Sequence, residues 1–171
     1  MNREVLISKE EISRRIRELA DEISRDYAGR ELIVVGVLKG AFIFMADLIR
    51  ALNFPCKVDF TQLASYGSGT VSSGDVVISK DIGIAIADRD VLIVEDIVDT
   101  GLTLSFLVEA MKAREPRSLR VCVLLDKKMR RKVPFTADYT GFDIVDRFVI
   151  GYGLDFNEQC RGLPDICIYK E

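Results

Sequence analysis

Residues Val91 to Thr103 read Val-Leu-Ile-Val-Glu-Asp-Ile-Val-Asp-Thr-Gly-Leu-Thr. Four consecutive apolar residues, Val91 to Val94, suit a strand covered on both faces, and the strand is expected to end at Glu95 and Asp96. From Leu104 the apolar residues Leu104, Leu107, Val108 and Met111 recur at i, i+3, i+4 and i+7, which predicts a helix starting close to Gly101. The acidic turn between strand and helix is where chemistry can sit. A helix N-terminus offers unpaired N–H groups and a positive dipole end, and Thr100, Gly101 and Thr103 let a phosphate approach that backbone.

Working outward, Leu32 to Val37 is a second doubly apolar run, leading through Leu38-Lys39-Gly40 into a helix from Ala41 to Leu52. That helix is apolar almost all round, which places it deep in the domain, with a subunit interface as the second choice. Leu119 to Leu125 is a third buried strand, finishing at Asp126-Lys127. Strands of this kind separated by helices predict a parallel sheet, whose ligands bind outside the strands' carboxyl ends. Lys39, the Glu95 to Thr103 turn and Lys127 are therefore expected to converge on one crevice.

Nearer the start, Ser8 and Glu11 form a capping box, followed by a charged helix with the apolar stripe Ile12, Ile16, Leu19, Ala20, Ile23 and Tyr27, ended by Gly29. Cys56 to Phe60 alternates as a half-exposed strand running on toward Ser65-Tyr66. The glycine-rich Gly67 to Gly74 lacks the Gly-Lys-Ser/Thr ending of a phosphate loop and precedes the strand-like Val76-Val77-Ile78. It reads equally well as a surface connection or as a lid. The basic run Lys127 to Lys132 is expected to be a solvated loop, and Phe142 to Val145 and Phe148 to Ile150 to be short strands.

Composition narrows the chemistry. At 171 residues, 49% of them apolar, the chain suits one domain. A net charge of −3 argues against nucleic-acid binding as the main task. No apolar run is long enough to span a membrane and no signal-like segment opens the chain, so a soluble cytoplasmic protein is expected. The four cysteines lack Cys-x-x-Cys spacing and read as buried thiols. The absence of histidine removes Ser-His-Asp triads, Cys-His pairs and most zinc sites.

Asp, Glu, Lys and Tyr are what remain. Glu95 and Asp96 supply hard oxygen ligands that could hold Mg²⁺ directly or through its waters beside the phosphate turn; as an isolated acidic pair they could equally cap or salt-bridge. Asp99 is the natural general acid or base, with an N-cap on the following helix as its structural alternative.

The segment Val-Glu-Asp-Ile-Val-Asp-Thr-Gly-Leu-Thr resembles the signature of the purine phosphoribosyltransferases that use 5-phosphoribosyl 1-pyrophosphate, in their hypoxanthine-guanine branch. Leu38-Lys39-Gly40, Ser65-Tyr66-Gly67, Leu125-Asp126-Lys127 and Asp146 to Asp155 resemble the same family in the same order, over nearly the whole chain. The resemblance implies the type I phosphoribosyltransferase fold: an α/β domain over residues 1–171, with a mostly parallel central sheet flanked by helices. A small hood, roughly residues 142–171, would cover the strands' C-terminal ends. It further implies that Asp99, Thr100, Gly101, Leu102 and Thr103 bind the ribose 5′-phosphate, and that Glu95 and Asp96 hold the ribose hydroxyls and a hydrated Mg²⁺. Asp99 would face purine N7, Lys127 would donate to O6, Phe148 would stack on the ring and the Val149 backbone would meet its Watson-Crick edge. Asp155 would ligate a second Mg²⁺, Arg161 and the Lys39-Gly40 loop would hold pyrophosphate, and a lid carrying Ser65 and Tyr66 would exclude water. Family members often carry a cis peptide at the position of Leu38-Lys39. The chain departs from some relatives with Leu102 and Arg147 where they have lysine, which leaves the phosphate to backbone and hydroxyl donors and bears on how O6 is read.

The expected substrates are phosphoribosyl pyrophosphate and a 6-oxopurine, hypoxanthine before guanine before xanthine, in a homo-oligomer, dimer or tetramer, with no nucleic-acid or membrane partner. The alternatives are a regulatory nucleic-acid-binding protein on the same fold, and an enzyme for orotate or adenine.

Overall fold

The structure is a computed structural model that describes residues 2–65 and 76–170. The glycine-rich stretch and Tyr66 thus lie outside the described residues. Ser65 ends a strand.

Six strands form the main sheet. They are β2 (Leu32–Leu38), β3 (Cys56–Ser65), β4 (Val76–Lys80), β5 (Asp90–Val98), β6 (Ser118–Asp126) and β7 (Tyr139–Asp143), after a first strand β1 (Asn2–Ile7) that lies elsewhere. Their order is β4-β3-β2-β5-β6-β7, with every neighbouring pair parallel except β3 and β4. The alternating side chains of the central strands enter two separate cores. Leu32, Val34, Leu92, Val94 and Cys122 face α1 (Lys9–Asp26) and α2 (Phe42–Ala51), whereas Ile33, Val35, Val91, Ile93 and Val121 face α3 (Leu102–Lys112). Both sides of each strand are dry, which is why these strands read as unbroken apolar runs.

The order reverses between β2 and β5: from β2 the chain moves outward to β3, and from β5 it moves the opposite way to β6. Such a switch point opens a crevice above the carboxyl ends of the two strands. β5 pairs with β2 only as far as Val94, opposite Gly36, but with β6 as far as Val98, opposite Asp126. The strand therefore runs through Glu95 and Asp96 instead of ending at them. One edge of its last turn of pleat is unpaired toward β2, and the crevice starts there.

A second, antiparallel sheet orders β1, β9 (Ile166–Lys170) and β8 (Val149–Ile150). Asn2 stands opposite Lys170 and Ile7 opposite Ile166. The N-terminal strand was not foreseen, because its short apolar stretch has its pairing partner at the far end of the chain. Residues 142 and 143 belong to β7 and the main sheet, so the expected Phe142 to Val145 strand is shifted toward the N-terminus.

The capping box forms as expected: the Glu11 N–H donates to Ser8 Oγ at 3.3 Å and the Ser8 N–H to Glu11 Oε2 at 2.9 Å. The reading of α2 as deeply buried is corrected. Only Phe44, Met45 and Leu48 of this helix are buried, while Phe42 is 43% exposed and Ala46 and Arg50 also face outward, so it packs by one face. None of the four cysteines forms a disulfide, and Cys122 and Cys167 are buried. No helix among the described residues is long and apolar enough to cross a membrane.

Candidate active site

The Glu95 to Thr103 turn owes its shape to a glycine, to Arg131 and to the Lys132 backbone. Gly101 adopts φ +84° directly before α3, a left-handed conformation that side chains disfavour, and a Cβ there would lie 3.0 Å from both Arg131 Cδ and Phe135 Cβ. Arg131 Nη1 donates to the Asp99 carbonyl at 2.8 Å, and its Nη2 pairs with Asp126 at the end of β6. The Lys132 N–H donates to the Thr100 carbonyl at 2.9 Å. The loop after β6 thus braces the turn after β5 from outside. Its inner side encloses a hollow of about 170 Å³, lined by Glu95 through Gly101, Thr103 and Leu104. Thr103 and Leu104, in the first turn of α3, line this hollow, and the Leu102 N–H donates to Thr100 Oγ1 at 3.3 Å.

A second hollow, of about 350 Å³, shares the wall Asp96, Ile97 and Asp99 and continues over Lys127, Arg130, Phe148, Val149, Leu154 and Asp155. One wall serves two pockets. Lys127 is only 6% exposed, and its N–H donates to the Val98 carbonyl at 3.0 Å. Phe148 is half exposed and stands edge-on to Phe156 and Tyr169, at centroid distances of 6.0 and 6.1 Å. The apolar Ile97 and Leu154 leave room for a flat ring beside Phe148.

Charge is concentrated on the shared wall and on Glu95 beside it. Glu95 is buried, and burial first, then the neighbouring Asp96 charge, push its carboxyl well above the usual range. Burial also raises Asp96, although hydrogen bonds from Glu95 and from the Ile97 N–H oppose the shift. Without a cation these two acids hold protons that exposed acids would lose. The oxygen Oδ1 of Asp99 is enclosed and accepts no hydrogen bond, while Arg130 Nε lies 3.3 Å from it as an ion-pair partner.

Across the crevice, the loop after β2 carries the cis peptide Leu38-Lys39. Gly40 lies so close to Asp96 that a Cβ would sit 1.7 Å from Oδ2. Lys39 Nζ donates to Glu158 Oε2 at 2.9 Å, and Arg161 Nη2 lies 3.1 Å from Asp155 Oδ1.

The structure thus gathers Glu95, Asp96, Asp99, Thr100, Gly101 and Thr103 around one pocket, and Lys127, Phe148, Val149 and Asp155 around its neighbour. Lys39, Gly40 and Arg161 stand at the rim. It does not bring Arg147 into the second pocket; Arg147 lines an outer hollow behind Phe148 with Phe156 and Tyr169. Leu102 is exposed on α3. The basic run is only partly a solvated loop, because Lys127 is buried, Arg131 is 15% exposed in its side chain, and Lys128–Arg130 forms a 3-10 turn. Sequence reading missed Arg130 and Arg131 by treating the run as one patch. The alternation of Asp126-Lys127 with Arg130-Arg131 at a strand end was the available signal. Glu158 carried no signal of its own.

A family model for the phosphoribosyl transferase domain matches residues 5–157. The bifunctional protein TilS/HprT of Listeria innocua is 50% identical over 97% of this chain, which spans about a quarter (26%) of that relative's length. The hypoxanthine-guanine phosphoribosyltransferase of Aquifex aeolicus is 47% identical over 98% of this chain and 94% of its own. A crystal structure of a hypoxanthine-guanine phosphoribosyltransferase from Bacillus anthracis superposes with a TM-score of 0.93 at 46% identity, covering 98% of each chain. With the switch-point crevice in place, and with family model, sequence relatives and solved structure agreeing over nearly its whole length, this chain belongs to the phosphoribosyltransferase family.

Proposed function

We propose that the chain transfers the phosphoribosyl group of 5-phosphoribosyl 1-pyrophosphate to hypoxanthine or guanine, releasing pyrophosphate and IMP or GMP. The observation that carries this reading is the pair of hollows sharing the Asp96-Ile97-Asp99 wall: one suits a sugar phosphate, the other a flat base, and the reacting atoms meet between them. The relatives' names agree with it.

In this reading the 5′-phosphate sits on the helix start Thr100-Gly101-Leu102-Thr103, bound by N–H groups and hydroxyls. Phe148 stacks on the purine, the Val149 backbone meets its Watson-Crick edge, and the buried Lys127 ammonium donates to O6. Purine N9 attacks the anomeric carbon as the bond to pyrophosphate oxygen breaks, and the proton on N7 passes to Asp99. The enclosed Asp99 Oδ1, which accepts no hydrogen bond and has Arg130 Nε as its ion-pair partner, is the acceptor such a transfer needs. A lid carrying Ser65 and Tyr66 would keep water from the developing ribose cation.

The residues present fit Mg²⁺. Glu95 and Asp96 offer hard oxygens whose buried charge calls for a cation, and Mg²⁺ keeps several waters and needs few protein carboxylates. Asp155 would hold a second ion. When bound, Mg²⁺ neutralises charge on the leaving pyrophosphate, and Lys39, Gly40 and Arg161 bind the same group. The domain would work in the cytoplasm as a dimer or tetramer.

The direct test supplies purified protein with Mg²⁺, the donor and hypoxanthine, and follows IMP and pyrophosphate. Equal yields of the two are expected. No turnover with hypoxanthine, guanine, xanthine or adenine, together with tight RNA or DNA binding, would overturn the proposal.

A further inference from the structure

The cations assigned to pyrophosphate are not waiting bare. Glu158 Oε2 lies 2.9 Å from Lys39 Nζ and 3.4 Å from Arg161 Nη2, so one carboxylate oxygen bridges two cations from opposite walls of the crevice. A pyrophosphate oxygen would occupy the same kind of position. The chain goes to some length to put Glu158 there. Asn157 and Glu158 both take left-handed backbone conformations, at φ +50° and +60°, and the Glu158 N–H is tied to Asp155 Oδ2 at 2.8 Å. Non-glycine residues in that region cost energy and cluster where structure serves function.

The two cations differ in how they are held. Arg161 is 19% exposed in its side chain, donates to the Gly153 carbonyl at 2.8 Å and pairs with Asp155, so it stays put when Glu158 leaves. Lys39 and Glu158 are 55% and 65% exposed, so their contact is weak and readily exchanged.

We infer that Glu158 is an internal stand-in for pyrophosphate: it holds Lys39 and Arg161 in the free enzyme, yields to the donor's pyrophosphate, and returns to hasten its release. The inference rests on the proposed phosphoribosyl transfer. Glu158 is a positioning residue acting through the two cations. It weakens pyrophosphate binding, the reverse of what a ligand-holding residue does.

The test titrates magnesium pyrophosphate into wild type and Glu158→Gln by calorimetry and measures hypoxanthine KM in both. Removing one exposed ion pair should tighten pyrophosphate about two- to fivefold and strengthen its product inhibition by as much, with hypoxanthine KM unchanged. Glu158→Asp, too short to span both cations, should fall on the same side. Equal or weaker pyrophosphate binding in Glu158→Gln would overturn the inference. Wild-type turnover in the same preparation separates the two claims: turnover with unchanged binding removes this inference alone, and absent turnover removes the reading beneath it.

Discussion

The turn after β5 and the loop between β8 and β9 face each other across one crevice and are built on opposite principles. The turn is held from behind: Arg131 ties the Asp99 carbonyl to Asp126, Lys132 holds Thr100, and a strand paired with β6 as far as Val98 leaves little freedom. The loop is held across its open side, by the exposed pair Lys39–Glu158 and by Arg161 reaching Gly153 and Asp155. Fixed donors suit a group that must be oriented before reaction, and exchangeable ones suit groups that must enter and leave. On this view the turn carries the sugar phosphate and the proton, whereas the loop and the small sheet carry the base and the leaving group.

Substitutions on the turn should therefore act on chemistry or folding. The largest effect is expected from Asp99→Asn, which keeps shape but not basicity: kcat should fall about 10²- to 10⁴-fold with donor affinity nearly unchanged, measured by steady-state kinetics beside donor titration. Unchanged turnover would move the proton transfer elsewhere. Next is Arg131→Ala, which strands the buried Asp126 carboxylate and should cost about 3–5 kcal/mol in denaturant unfolding. A loss under about 1 kcal/mol would show that the turn is not braced from behind.

A smaller effect should come from the acidic wall. The carboxyls of Glu95 and Asp96 hold their protons more tightly when folded than when unfolded, so between those two conditions the native state binds more protons. Stability without metal is then greatest at acidic pH and declines as pH rises past 4.5, the ordinary glutamate value, toward the raised native value. Thermal unfolding should show that decline, Mg²⁺ should restore more stability at about pH 8 than at about pH 5, and Glu95→Gln should flatten the slope. A Mg²⁺ effect independent of pH would separate the ion from this pair.

The same contrast explains what could be read from the chain. The turn was legible because strand, acids, glycine and helix are contiguous, and because doubly buried strands leave unbroken apolar runs. The point where β5 ends was not, since Glu95 and Asp96 stay in register with β6 through backbone pairing that side-chain polarity conceals. Of the small sheet only β8 was legible, within the run Phe148 to Ile150; β9 was not read as a strand, and β1 pairs with it from the other end of the chain. α2 misled because a nearly all-apolar helix gives no sign of which face it leaves open. Arg147 adjoins Phe148 and lines the outer hollow with it, yet only Phe148 also reaches the base pocket, a distinction that spacing cannot make.

The division of labour between turn and small sheet is tested most directly by donor binding in the absence of base. Calorimetric titration of the magnesium-donor complex should show unchanged affinity in Phe148→Ala, while hypoxanthine KM in that variant rises by about tenfold or more, the worth of a lost base–aromatic stack. Loss of donor affinity in Phe148→Ala with little change in hypoxanthine KM would contradict the account.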